Sequence, residues 1–285
     1  NNIVDRISSV ILLKNGDNSY RYSGSNPNNY VCFGSDANPC PTDNLYRIIG
    51  VFGNNVKLIK YDSATSALLG TDGDYQEIRT PNAPYYKGSL TTINTYYWNN
   101  STSRNAWSES LLNKTNLNTN FITNIGSEWA NKIAVTTWKV GENLAVNIVY
   151  VIPSAAYQNE IVNPVTTNTT DNATEYSAKI GLIYVSDYGF AAEPSAWTRK
   201  LSYDSGNGYS NAAVTSVNWM YMGLYEWTVS RGAGSSDITF VVGYVGDVSD
   251  YDVYRGGAVR PSFSLLPSIT YKSGSGTQSD PIRIN

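Results

Sequence analysis

Leu45-Tyr46-Arg47-Ile48-Ile49-Gly50-Val51-Phe52 and Val56-Lys57-Leu58-Ile59-Lys60-Tyr61 stand on either side of Gly53-Asn54-Asn55. β-Branched and aromatic residues dominate both runs, and Gly and Asn are the residues that tolerate the positive φ of a tight turn. The segment predicts an antiparallel hairpin over residues 45–61.

Working outward, the same residue types predict short strands at 20–23 and 30–33, around the turn-rich Gly24-Ser25-Asn26-Pro27-Asn28-Asn29. Further strands are expected at 134–140, 144–152, 179–185, 219–225, 227–230 and 238–245, with a last one around Arg283. Two helices interrupt them. One runs over 105–112 with Asn105 or Ser108 as N-cap, and the other over 118–133, where Phe121, Ile122, Ile125, Trp129 and Ile133 recur three or four apart. Ile3, Val4, Ile7, Val10 and Ile11 give a short amphipathic helix that Asn15-Gly16-Asp17-Asn18 ends. A Thr/Asn-rich stretch over 159–171 reads as a mobile loop. The expected organisation is a helix over 1–14 followed by one α+β domain over 15–285.

Composition removes several function classes. The chain has 285 residues, 41% of them hydrophobic, which suffices for a substantial core. Only 15% are charged and the formal net charge is -3, so long-range attraction to nucleic acid is not expected. There is no histidine, which rules out a Ser-His-Asp or Cys-His site and any His-bearing zinc site within these residues. Cys32 and Cys40 have no third thiol to join them. A small-loop disulfide in an oxidising compartment is the favoured reading, with two buried thiols as the alternative. No run approaches the ~20 apolar residues of a membrane helix; the longest candidate, 144–152, is interrupted by Asn147 and ends at Pro153. Any export signal or anchor is expected upstream of Asn1.

The densest polar-aromatic cluster is Asp247, Ser249, Asp250, Tyr251, Asp252 and Tyr254. Its spacing fits no EF-hand loop, and no metal is assigned to it. Tyr offers large contact area at low entropic cost and Asp offers acceptors, so the expected ligand-binding residues are Arg231, Tyr244, Asp247, Asp250, Tyr251, Asp252, Tyr254 and Arg255. Trp227 reads as core, and Arg260 as a structural ion-pair partner. The carboxylates Glu109, Glu128, Glu142, Glu160, Glu175, Glu193 and Glu226 are scattered, and nothing in the sequence sets two of them at a glycosidase separation. Neither catalysis nor a cofactor is expected.

Tyr20-Arg21-Tyr22-Ser23-Gly24, Leu45 to Phe52, Gly181-Leu182-Ile183-Tyr184-Val185-Ser186-Asp187-Tyr188-Gly189, Asn218-Trp219-Met220-Tyr221, Glu226-Trp227-Thr228-Val229-Ser230 and Ala258-Val259-Arg260-Pro261 are among the blocks that carry a resemblance. They resemble secreted or surface-anchored proteins of gut Firmicutes of unassigned function. The resemblance implies a C-type-lectin-like, or sulfatase-modifying-factor-like, fold with a twisted mixed sheet, two helices and long irregular loops. It does not extend to the calcium-sugar motifs, since Glu193-Pro194-Ser195 and Trp98-Asn99-Asn100 replace them, or to the catalytic cysteines of formylglycine-generating enzymes. The expected function is a non-enzymatic, adhesin-like protein of a bacterial cell surface that binds an extracellular glycan or protein. The alternative is a pilin-like filament subunit that assembles through its N-terminal helix.

Overall fold

The computed structural model describes residues 2–4, 13–14, 19–143, 150–164 and 173–285. The expected hairpin is present: Leu45–Phe52 and Asn55–Lys60 pair antiparallel across Gly53-Asn54, and Gly53 takes φ 59°. A positive φ at the first turn residue matches the right-handed twist of the strands it joins.

This hairpin is the centre of a seven-stranded sheet. On one side Leu45–Phe52 bonds to Tyr20–Arg21, which bonds to Leu13–Lys14, while Tyr30–Cys32 pairs with the other half of the same strand. On the other side Asn55–Lys60 bonds to Ser262–Ser264, and that strand bonds to Ile180–Gly181. Gly50 permits a close approach. A Cβ there would fall 2.1 Å from the Tyr20 carbonyl oxygen, beside the register shift between Ile48 and Gly50.

A second, four-stranded sheet runs Val248–Asp252, Ile238–Val242, Glu226–Gly232 and Glu142–Asn143. A three-stranded sheet of Gly256–Gly257, Ile93–Tyr97 and Tyr75–Arg79 adjoins it, where Trp227 Nε1 donates to the Tyr96 carbonyl at 2.7 Å. One apolar core reaches from Ile3 to Ile284. Its aromatic centre is Phe33, which lies 4.8 Å from Phe263, 5.0 Å from Trp129 and 5.5 Å from Tyr46 between ring centroids. The architecture is mixed α+β, mostly sheet with few helices.

The helices depart from expectation. The main one lies across the gap between the two predicted segments: Leu112–Phe121 winds with i→i+5 hydrogen bonds and continues as Ile122–Asn124. Leu112, Leu117 and Phe121 are all fully buried, and their spacing of five and then four residues suits the wider winding. Asparagines bind this helix to its surroundings. Asn116 Nδ2 donates to the carbonyls of Leu69 and Asp72, and Asn118 both donates to Ile180 O and accepts from Ile180 N. Gly126, at φ 82°, separates it from the short turn Ser127–Ala130.

Other boundaries are corrected as well. Residues 179–185 hold only the strand Ile180–Gly181, and Val185–Ala191 is helix because Asp187 caps it through the Tyr184 N–H. Residues 219–225 are turns with no strand. Within the expected loop 159–171, Gln158–Val162 is helical and residues 165–171 lie outside the described residues. So do residues 144–149 of an expected strand and most of the N-terminal amphipathic segment; of that segment Ile3 and Val4 are helical, whereas Leu13–Lys14 is strand. Val248–Asp252, read from sequence as loop, is also a strand. Among the described residues no helix is long and apolar enough to cross a membrane.

Cys32 and Cys40 form a disulfide. It closes a loop against the C-terminal strand, where Cys32 N donates to Ile282 O and Arg283 Nη1 donates to Ala37 O.

Candidate functional site

The strand Glu226–Gly232 and its lead-in place Tyr225 and Trp227 two residues apart, hence on one face. Its neighbour but one, Val248–Asp252, brings Tyr251 to the same face. Tyr225 and Tyr251 stack with centroids 5.5 Å apart and planes 6° from parallel, and Trp227 lies beneath, 5.4 Å from Tyr251. The row continues through Tyr244, 5.2 Å from Tyr225, to Tyr85, 5.0 Å from Tyr244, both edge-on. Arg255 caps the far end, its guanidinium 5.6 Å from the Tyr251 ring.

This row is partly exposed, with Tyr244 and Tyr251 half-buried, yet fixed. Tyr85 is 36% and Tyr225 40% exposed, while Trp227 is fully buried. The Tyr221 hydroxyl donates to the Tyr244 carbonyl at 2.7 Å, and Ala258 N donates to the Tyr225 carbonyl at 2.7 Å. In the turn between the strands, Gly243 N donates to Asp247 O and the Tyr188 hydroxyl to Gly246 O. Beside the row lies a cavity of about 280 Å³ whose walls include Tyr225, Tyr244, Asn82 and Arg79. Burial, followed by its Tyr244 and Tyr251 neighbours, raises the Tyr225 pKa, so the hydroxyl stays a neutral donor.

The expected ligand residues divide under this geometry. Tyr244, Tyr251 and Arg255 belong to the row. Asp250 and Asp252 alternate to the opposite side of the strand from Tyr251, and Asp252 accepts from Arg255 Nε at 2.6 Å, so its carboxylate positions Arg255. Asp247 is half-buried against Gly243, and burial raises its pKa. Tyr254 is 43% exposed in the following turn. Arg231 is a correction: it is fully buried in the strand, donating to the carbonyls of Asn105 and Ala173, and cannot meet an external ligand. Sequence reading missed Tyr85 and Tyr225, which join the row only through tertiary contacts.

A cavity of about 350 Å³ lies over a buried charge cluster instead. Arg21 Nη1 and Lys57 Nζ each stand 2.5 Å from an Asp187 carboxylate oxygen. Burial alone would raise Asp187, but these two cations outweigh it and hold its pKa at about 2. Burial pushes Glu160 up to about 7, even though its carboxylate accepts from Ser230 Oγ and the N–H groups of Val185 and Ser186. Glu226 is bound to Arg260 Nη2 at 2.8 Å, both side chains buried. Each of these carboxylates is engaged by protein donors.

Compared with known protein families, curated proteins and solved structures, the chain matches none of them.

Proposed function

We propose that this chain is a non-enzymatic, extracellular ligand-binding protein of a bacterial cell surface, adhesin-like in role, with a C-type-lectin-like organisation. The observation that carries the reading is the tyrosine row Tyr85, Tyr244, Tyr225 and Tyr251, held in place by backbone and ring contacts, with Tyr85 and Tyr225 exposed and Tyr244 and Tyr251 half-buried. Tyr has only two side-chain torsions to freeze, and its ring combines an apolar face with a hydroxyl. A rigid row of such rings suits the flat faces of a saccharide chain or the side chains of an extended peptide. The Cys32–Cys40 bond supports an oxidising, extracytoplasmic location.

Glycan and protein arrays probed with the native chain and with a Tyr225→Ala/Tyr244→Ala/Tyr251→Ala variant test this reading. The native chain is expected to bind, and the triple variant to lose at least about tenfold in affinity, equivalent to roughly 1.4 kcal/mol. Unchanged binding by a folded triple variant would place the contact surface elsewhere.

A further inference from the structure

A third cavity, about 290 Å³, is lined by Lys87 and Met222, where Lys87 N donates to Met222 O. Arg47 lines it and is 4% exposed. The guanidinium is sandwiched between the rings of Tyr30 and Trp219, 4.2 and 4.7 Å from their centroids, so its position is fixed. Every acceptor it meets is neutral. Nε donates to Asn29 Oδ1 at 2.7 Å, Nη2 to Asn26 Oδ1 and Pro27 O, and Nη1 to Trp219 O at 3.4 Å. Among the described residues, these four bonds leave one of the five guanidinium N–H groups, on Nη1, without a protein acceptor.

No carboxylate pairs with Arg47 among the described residues, in contrast to the buried Arg21 and Arg260, which have Asp187 and Glu226. A buried cation without a counter-ion carries a desolvation cost that neutral acceptors offset only in part. The cavity lining adds the exposed cation Lys87 and the hydroxyls of Ser25, Tyr61, Thr215 and Ser216, and among the described residues it contains no Asp or Glu.

We propose that this cavity binds an acidic sugar residue, with its carboxylate or sulfate ester directed at Arg47 and Lys87 and its hydroxyls at the Ser, Thr and Tyr lining. Arg47 supplies a positive charge held in place by its stacked rings and neutral acceptors, Lys87 a second charge at the rim, and the missing counter-ion is provided by the ligand. The site adjoins the tyrosine row through Tyr221, which lines the cavity and bonds Tyr244 O, but its charged groups are different and the proposal stands or falls independently of the row.

Calorimetric titration with glucuronic acid, glucose 6-sulfate and glucose tests the proposal on the native chain and on Lys87→Glu and Ser216→Glu, two exposed rim positions whose substitution spares the Arg47 packing. At low ionic strength one or both acidic sugars are expected to bind at least about tenfold more tightly than glucose, and binding should weaken as salt is added. Binding of only one of them identifies the anionic group. Both variants should lose about tenfold or more for the acidic sugars. Equal binding of glucose, no binding of either acidic sugar at millimolar concentration, or unchanged binding in both folded variants would overturn it. The tyrosine triple variant should leave this titration unaltered.

Discussion

At the scale of single residues, two acidic groups of the same type play opposite parts. Asp187 is buried between Arg21 and Lys57, partners 166 and 130 residues away in sequence. Asp252 is at the surface and holds Arg255 three residues on. Nothing local marks the difference. In sequence both are Asp beside a tyrosine, so Asp252 is legible as a surface acceptor, whereas the role of Asp187 depends on contacts that only the folded chain makes. Replacing Asp187 with Asn removes the charge that neutralises two buried cations, and such a loss costs about 3–5 kcal/mol. Urea denaturation of D187N should show a midpoint far below that of the native chain. D252N should unfold with the native midpoint, because solvent screens the pair it breaks. Equal midpoints for D187N and the native chain would mean that Arg21 and Lys57 find other counter-charges. Arg231 carries the same lesson: an arginine next to a recognition segment in sequence is buried in the structure.

At the scale of elements, legibility follows how local the determining interaction is. The Leu45–Phe52 and Asn55–Lys60 hairpin is set by its own turn, and its boundaries lie within one residue of those the sequence predicts. Val248–Asp252 was not recognised as a strand because its Asp, Ser and Tyr residues resemble a loop; its register comes from pairing with Ile238–Val242. The Leu112–Phe121 helix carries no three-and-four apolar spacing in the sequence, because its buried residues follow five-and-four spacing. The aromatic row inherits this dependence, since Gly257 lies against the Trp227 ring, where a Cβ would come within 2.7 Å of Nε1. Gly257→Ala should therefore displace Trp227, weaken its bond to Tyr96 and alter the near-ultraviolet circular dichroism of the row, with far-ultraviolet signal retained. An unchanged near-ultraviolet spectrum would show that the ring is free to give way. The disulfide is the other element-scale constraint. Its cysteines are eight residues apart. Closing so short a loop in the unfolded chain contributes about 2–3 kcal/mol, so a Cys32→Ser/Cys40→Ser variant should lose that amount in denaturant titrations.

At the scale of the whole molecule, the sequence conveyed the mixture of strand and helix but not which strands meet. Ser262–Ser264 reaches the sheet centre from the far end of the chain, and Ile180–Gly181 pairs beside it. This wrapping buries charge that the low overall charge content would not suggest, and it sets how stability responds to pH. Glu160 titrates at about 7 in the folded chain against an ordinary 4.5. The folded state thus binds more protons than the unfolded state between those values, and stability falls as pH rises through that window. The full difference is on the order of 3 kcal/mol. Asp74 and Asp247, also raised by burial, act in the same direction. Asp187 has the opposite sign: held at about 2 against 3.8, it contributes stability that is present above 3.8 and lost as pH falls toward 2. Together these groups place maximal stability on the mildly acidic side, near pH 4–5, with a decline toward neutrality. Thermal melts from pH 3 to pH 8 should show that maximum. Glu160→Gln should flatten the decline between pH 5 and pH 7 while leaving the acid limb, which belongs to Asp187, in place. A melting temperature that rises steadily to pH 8 would mean that Glu160 is ionised throughout, its three donors outweighing the cost of its burial.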